Sequence, residues 1–310
     1  MKLRLVALLA AVPVLLAACS TNPTAAAASR SGSGGGSADC PTTPVDVVVS
    51  VDQWGDIVSQ LGGGCANVHT IVASSAVDPH DFSPTPSDLA KFSGAALVVV
   101  NGAGYDTWAT QVLATVSPKP AVVDAGTVVG VSSGANPHLW YSPDYVTRTA
   151  DAVTAALQAL APKDAAYFTA QHAAWLQSMK PYFTLIASIK AAAAGKTYGA
   201  TESIFDYMAA ALGLVDKTPQ GYQNASTNGS EPAPGDVQAF QQMLAGRQMD
   251  VLIFNTQTVG AVPDQIKQAA TSASVPVVDV TETVAPGATS FVGWQLSQLT
   301  ALAKALGVPA

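Results

Sequence analysis

The chain has 310 residues, of which 49% are hydrophobic and 11% charged, and its formal net charge is −7. This length is enough for two domains of ordinary size. The acidic balance excludes a basic surface for nucleic acid, so no nucleic-acid partner is expected. Much of the apolar content is alanine, and beyond the N-terminus the sequence has no apolar stretch long enough for a transmembrane helix.

The N-terminus has the features of an export signal. Lys2 and Arg4 form a short basic region, and residues 5–16 are an apolar stretch that is too short to span a bilayer as a helix. The stretch ends in Leu16-Ala17-Ala18-Cys19, which resembles the bacterial lipobox, in which the cysteine is lipidated. We therefore predict a signal peptide at 1–18 and a mature protein anchored through Cys19 to the extracytoplasmic face of the cell membrane. The alternative is an ordinary secretory signal with a chance cysteine.

The next segment, 19–40, is rich in Ser, Ala, Gly and Thr and has almost no large apolar side chains. Such a composition cannot bury a core, so it predicts a flexible tether with a reach on the order of 25 Å. Cys40 and Cys65 are the cysteines that remain after Cys19. An even pair in an oxidising compartment predicts a disulfide. The alternative is that both are metal ligands, but the sequence has no C-x-x-C spacing to support it.

From Val45 onward, apolar runs alternate with helical patterns, and we assign residues 41–145 to an N-terminal α/β lobe. Runs that are apolar on both faces and separated by helices favour a parallel sheet covered on both sides. The predicted strands are Val45–Val51, Val68–Ala73, Leu97–Asn101 and Ala121–Asp124. One helix should begin near Pro86, with Thr85 as its N-cap and Asp88 completing a capping box.

Residues 146–195 read as linking helices. Ser142 has the character of an N-cap, with Pro143 at the first helical position and a helix to about Leu160. Pro162 should break that helix, and a second one is predicted from about Lys163 to Ala194, kinked near Pro181. A helical segment of this length should act as a stiff strut between two lobes.

The strand and helix pattern returns in residues 196–310, which we assign to a C-terminal α/β lobe. The predicted strands are Lys196–Thr201, Val251–Phe254 and Val275–Thr281. The predicted helices are Ser203–Leu212, Pro234–Leu244, Pro263–Ser272 and Ser290–Leu306.

Four side chains with metal-binding chemistry follow predicted strands. His80 and His138 each come directly after a proline in the N-terminal lobe, and Glu202 and Glu282 follow strands of the C-terminal lobe. In open α/β sheets, ligands bind beyond the carboxyl ends of the strands. Two imidazoles and two carboxylates suit a first-row divalent cation. The alternative is two loop histidines and two helix-start acids that interact with helix dipoles.

Three segments carry a resemblance to a known family. The stretch from Asp78-Pro79-His80-Asp81-Phe82 to Leu89 resembles the first ligand motif of the manganese- and zinc-binding receptors of ABC importers. Residues 100–108 are similar to the segment that follows it in that family. Asn136-Pro137-His138-Leu139-Trp140, with Ser142 and Pro143, resembles the second ligand motif. The resemblance covers about 45–306.

The resemblance implies two α/β lobes joined by a long rigid helix, with one Mn(II) or Zn(II) in the cleft between them. It implies His80, His138, Glu202 and Glu282 as ligands, an integral-membrane ABC permease as partner, and a monomer without enzymatic activity. Glu282 stands where the family most often has Asp, so Asp279 is the alternative fourth ligand. Glu231 resembles a family segment, but we interpret it as a solvated loop acid. The absence of a long His-rich loop favours manganese.

Two other classes of function remain open at this point. An exported metallohydrolase would need an open metal position and a general base, and the sequence has no H-E-x-x-H motif. A surface adhesin is compatible with a lipid anchor but does not account for the placement of the histidines and glutamates.

Overall fold

The computed structural model describes residues 40–73, 82–258 and 260–310. The predicted lipidation site Cys19 and the predicted ligand His80 lie outside these ranges. Within them, no helix combines the length and the apolar character needed to cross a membrane.

The N-terminal sheet has four parallel strands in the order β2-β1-β3-β4. The strands are β1 Val45–Val51, β2 Ala66–Val72, β3 Leu97–Val100 and β4 Ala121–Asp124. The helices are α1 Asp52–Gly62, α2 Pro86–Gly94, α3 Thr107–Thr115 and α4 Ala125–Val129. The predicted capping box at α2 is confirmed, because Thr85 accepts from the Asp88 amide and Asp88 accepts from the Thr85 amide.

The linking segment consists of α5 Pro143–Leu160, α6 Ala165–Ser178 and α7 Lys180–Ala193. Ser142 caps α5 by accepting from the Tyr145 amide, as predicted. The second predicted helix is interrupted at Met179, close to Pro181, where the sequence predicted a kink. Proline lacks an amide proton and its ring clashes with the preceding turn, which explains the position of this interruption.

The C-terminal sheet repeats the first, with four parallel strands in the order β6-β5-β7-β8. The strands are β5 Thr197–Ala200, β6 Val215–Asp216, β7 Val251–Asn255 and β8 Val277–Val280. The helices are α8 Asp206–Leu212, α9 Gln220–Thr227, α10 Pro234–Ala245, α11 Ala261–Ser272 and α12 Phe291–Leu306. The helix predicted from Ser203 begins with a 3-10 turn over Ser203–Phe205, a common start for an α-helix.

Two clusters of buried apolar side chains hold the described chain together. The larger one, here called the shared core, extends from β1 and β3 through α7 and α12 to β5 and β8. The smaller one, here called the outer core, lies under α10 and α11 and consists of Tyr222, Val237, Phe240, Leu244, Met249, Leu252, Ile266, Ala270 and Val275. Strand β7 separates the two, because Val251 and Ile253 belong to the shared core and Leu252 to the outer core.

The lobes also meet through the first turns of α1. Asp56 accepts a hydrogen bond from the Phe291 amide at 2.8 Å, and Asp52 accepts from the Val284 amide at 3.4 Å. Val284 lies in the connection between β8 and α12, and Phe291 is the first residue of α12. Two carboxylates of the N-terminal lobe therefore hold the chain segment that follows Glu282.

A disulfide joins Cys40 to Cys65, as the sequence predicted. It fastens the segment before β1 to the turn between α1 and β2. Thr42 donates to Asp164, so the same segment is also bound to the linking helices.

Candidate metal site

Three of the four predicted ligands converge where the two lobes face each other. Glu202 follows β5, Glu282 follows β8, and His138 precedes the 3-10 turn Leu139–Tyr141. Each offers one ligand-type atom, and these atoms all lie within 4.8 Å of one another. His138 Nε2 lies 3.8 Å from a Glu282 carboxylate oxygen. The sheet edges thus bring together groups that are far apart in sequence.

Asp279, the alternative fourth ligand, lies elsewhere. It is inside β8, and its carboxylate contacts Lys267 Nζ of α11 at 2.8 Å. Because side chains alternate along a strand, a residue within β8 and a residue beyond its end can face different surroundings. The sequence-based preference for Glu282 over Asp279 rested on this strand boundary, and β8 does end at Val280.

The tautomer of the neutral His138 ring is fixed by Asn136. The Asn136 amide nitrogen donates to the Ser203 carbonyl at 2.7 Å, so its carbonyl oxygen must face the ring, where it lies 2.7 Å from Nδ1. Nδ1 therefore carries the proton and Nε2 keeps its lone pair. His138 is 3% exposed, and Nε2 makes no hydrogen bond to any described residue. A buried imidazole oriented in this way is typical of a metal ligand.

The loop that carries His138 is bonded to both lobes. The Asn101 side-chain amide, at the end of β3, donates to the Pro137 carbonyl at 2.9 Å. From the other lobe, the Tyr207 hydroxyl of α8 donates to the Asn136 carbonyl at 2.8 Å. His138 is therefore positioned by hydrogen bonds that cross the cleft as well as by its own lobe.

Aromatic side chains form one wall of the site. The Trp140 and Tyr105 rings lie 5.4 and 6.3 Å from the His138 ring, centroid to centroid. Burial, and next the neighbouring Glu282 carboxylate, raise the pKa of Tyr105 well above its usual value, so its hydroxyl stays protonated. Gln53 donates to both the Tyr105 hydroxyl at 2.9 Å and the Glu282 carbonyl at 3.1 Å. Low polarity on this side strengthens any interaction between a cation and the carboxylates.

The two carboxylates are supported by residues at the end of β7 and directly after it, which the sequence analysis did not identify. Asn255 Nδ2 donates to Glu202 Oε2 at 2.7 Å, and the Thr258 hydroxyl donates to the same oxygen. The Gln257 side-chain oxygen accepts from the Glu282 amide at 2.7 Å and from the Thr283 amide at 2.9 Å. The polar run after a buried strand, at the same sheet edge as both glutamates, could have indicated this role.

A pocket of about 360 Å³ adjoins the two carboxylates in the C-terminal lobe. Its lining includes Glu202, Glu282, Tyr222, Ser226 and Glu231. Glu231 thus lies beside the candidate site rather than among the three converging side chains. Burial, with Glu202 and Glu231 contributing, raises the pKa of Tyr222 to about 12, so the pocket carries a neutral phenol among acids.

Known relatives include metal-binding proteins. The chain is 26% identical over 138 residues to manganese-binding lipoprotein MntA of Halalkalibacterium halodurans, covering 43% of this chain and 46% of that protein. It is 24% identical over 225 residues to high-affinity zinc uptake system protein ZnuA of Bacillus subtilis, covering 66% and 67%. The chain therefore matches less than half the length of the first relative.

Solved structures with the same fold include the periplasmic zinc-binding protein TroA from Treponema pallidum, with a TM-score of 0.70 at 20% identity over 85% of this chain and 99% of that one. FpvC from Pseudomonas aeruginosa, solved in complex with Mn²⁺, has a TM-score of 0.70 at 18% identity, and the match covers 86% of this chain and 99% of that one. At such identities the likeness concerns the fold. The family model described as ZnuA, zinc-uptake complex component A, periplasmic, matches residues 47–305, and the chain belongs to that family.

Proposed function

We propose that this chain is an extracytoplasmic receptor that captures one Mn(II) or Zn(II) ion and delivers it to an ABC-type importer. The observation that supports this most is the convergence of His138, Glu202 and Glu282 from two lobes to within 4.8 Å. One imidazole and two carboxylates match the ligand preferences of these cations. The relatives named for manganese binding and zinc uptake support the same cargo.

His80 is the fourth ligand in this proposal, on the grounds of its sequence motif. Four protein ligands would leave no open coordination position for activating water, which separates a receptor from a catalytic zinc site. The receptor would be a monomer held at the membrane by lipid on Cys19. Its partner would be the integral-membrane permease of the importer.

Competitive titration of the purified, metal-free protein with Mn(II) and Zn(II) tests the proposal. We expect one ion per chain and a loss of affinity of at least about 100-fold in His138→Ala, because a ligand is removed while both carboxylates stay. His172→Ala is the matched control, since His172 contacts Asp151 at 2.8 Å on the linking helices and lies away from the site. Equal affinities in these two variants would contradict the assignment of His138.

Delivery needs a test in cells. Loss of the chain should lower cellular manganese or zinc under limiting supply, and re-expression should restore it. Re-expressed His138→Ala should not restore uptake. Normal uptake in cells that express His138→Ala would show that transport does not depend on metal binding at this site.

A further inference from the structure

The last residue of β7 and the three residues after it occupy a central position in the candidate site. Strand β7 lies between β5 and β8 in the sheet, so its carboxyl end lies between the ends that carry Glu202 and Glu282. The chain there reads Asn255-Thr256-Gln257-Thr258, here called the β7 turn. Two of its four side chains, those of Asn255 and Thr258, bond to the Glu202 carboxylate. A third, that of Gln257, bonds to the backbone amide of Glu282.

Both donors to Glu202 use one oxygen. Asn255 Nδ2 and the Thr258 hydroxyl each donate to Oε2. The orientation of the Asn255 side chain is fixed, because its Oδ1 accepts a hydrogen bond from the Gln257 backbone amide at 3.0 Å. A carboxylate oxygen has two lone pairs in its plane, and two hydrogen bonds occupy both. Among the described residues, Oε1 receives no hydrogen bond, so it is the oxygen that can bind a cation.

Gln257 acts on the other glutamate through the backbone. Its side-chain oxygen accepts from the amides of Glu282 and Thr283, and its Nε2 donates to the Thr283 hydroxyl at 2.9 Å. This arrangement fixes where Glu282 leaves β8. The β7 turn thus restricts the orientation of the Glu202 side chain and the position of the Glu282 main chain.

We propose that the β7 turn determines metal preference, because Asn255 and Thr258 restrict Glu202 to one-oxygen ligation and so favour Zn(II), with its low coordination number, over Mn(II). This inference rests on the proposed function. Zn(II) is satisfied by four ligands in tetrahedral geometry, whereas Mn(II) favours about six, mostly oxygen. A glutamate that cannot use its second oxygen therefore withholds a ligand that Mn(II) would use. Asn255 and Thr258 are positioning residues that act through Glu202.

Thr258→Val tests the proposal, because it removes the hydroxyl while keeping the branched shape. We expect Zn(II) affinity to fall about 10-fold, as is typical when a partner of a metal ligand is lost, and Mn(II) affinity to fall less or to rise. The ratio of the two dissociation constants should therefore shift toward Mn(II). X-ray absorption of the Mn-loaded variant should show a higher oxygen coordination number than that of the unmodified protein, a change that a merely structural role would not produce.

Two further variants serve as controls. Thr256→Val makes the same substitution in the same turn, but Thr256 is exposed and its hydroxyl bonds to the Val280 carbonyl, so both affinities should stay unchanged. Thr258→Ser keeps the donor and should retain the original ratio. An unchanged ratio in Thr258→Val, or an equal loss for both metals, would overturn this inference. Failure of the unmodified protein to bind either metal would instead overturn the proposed function.

Discussion

The two lobes have the same strand order but support the site by different means. In the C-terminal lobe, Glu202 and Glu282 stand within two residues of the ends of β5 and β8. In the N-terminal lobe, His138 follows β4 only after α4 and a further loop, and its Nδ1 donates to the Asn136 side-chain oxygen. Asn101 of the same lobe donates to the Pro137 carbonyl, and Tyr207 of the C-terminal lobe donates to the Asn136 carbonyl. The sheet thus fixes one half of the site directly, whereas the other half depends on side-chain hydrogen bonds, one of which comes from the opposite lobe.

The lobes differ as well in how they are packed. The buried apolar residues of the N-terminal sheet all belong to the shared core, whereas those of the C-terminal sheet are divided between the shared core and the outer core. Damage to the shared core should therefore affect both lobes, and damage to the outer core should stay local. The following predictions test this difference.

The largest effect is expected from Trp294→Ala. Trp294 of α12 is buried in the shared core against Tyr141 and Phe291, and its removal should lower the free energy of unfolding by about 4 kcal/mol. Hydrogen exchange should then accelerate in strands of both lobes. Phe240→Ala is the matched change in the outer core and should accelerate exchange mainly in α10 and α11. Equal acceleration of β1 in the two variants would show that the cores are not separate.

Loss of the disulfide should have the next largest effect, and it should be strongest in the N-terminal lobe. The bond closes a loop of 25 residues, for which chain entropy predicts about 3 kcal/mol of stabilisation. Cys40→Ala combined with Cys65→Ala should therefore lower the midpoint of urea unfolding and accelerate exchange in β1 and β2. Reductant should reproduce this effect in the unmodified protein and add nothing in the double variant. Accelerated exchange in β7 without a change in β1 would contradict the prediction.

Asp52→Asn should give a smaller effect that depends on pH. Burial raises the pKa of Asp52 to about 6, above the value of 3.8 for an unfolded chain. The folded protein therefore binds this proton more tightly, and the stability that comes with protonation is present below about pH 4 and lost as pH rises through 6. At pH 7.5 the variant should be more stable by roughly 2 kcal/mol, because an amide carries no buried charge. Below pH 5 the difference should shrink.

Urea unfolding at several pH values measures this effect. Asp46→Asn, which changes an exposed carboxylate on the neighbouring strand, should leave stability nearly unchanged at pH 7.5. A gain in Asp52→Asn that stayed constant from pH 5 to 7.5 would show that the carboxylate is not the cause.

Much of the fold could be predicted because buried parallel strands are continuous apolar runs. Strands β1 and β4 have the predicted bounds, and the end of β8 was placed well enough to separate Asp279 from Glu282. Strand β6 has only two residues, Val215 and Asp216, and so leaves no pattern to detect. Helix α9 was missed because it is mostly polar and buries only Tyr222.

Residue type and the position of strand ends were enough to predict which side chains form the candidate site. His138, Glu202 and Glu282 were chosen because each follows a predicted strand, and they do converge. The C-terminal sheet places the two glutamates, whereas His138 is placed by the loop that follows α4. The support from Asn136, Asn255 and Thr258 was not predicted. These residues act through hydrogen bonds whose geometry depends on the exact path of each loop, and strand periodicity contains no information about it.

The packing of α12 has a consequence for how often the cleft can open. This helix is in the C-terminal lobe, yet its Phe291 and Trp294 pack against Tyr182 of α7 and Tyr141 beside His138. Separating Trp294 from Tyr141 would expose two large aromatic side chains, at about 2 kcal/mol each. A cost near 4 kcal/mol leaves an open population of about one molecule in 10³. Spontaneous hinge opening is therefore a rare event, and release of a bound ion has to come from local movement at the rim or from work done by a docked partner.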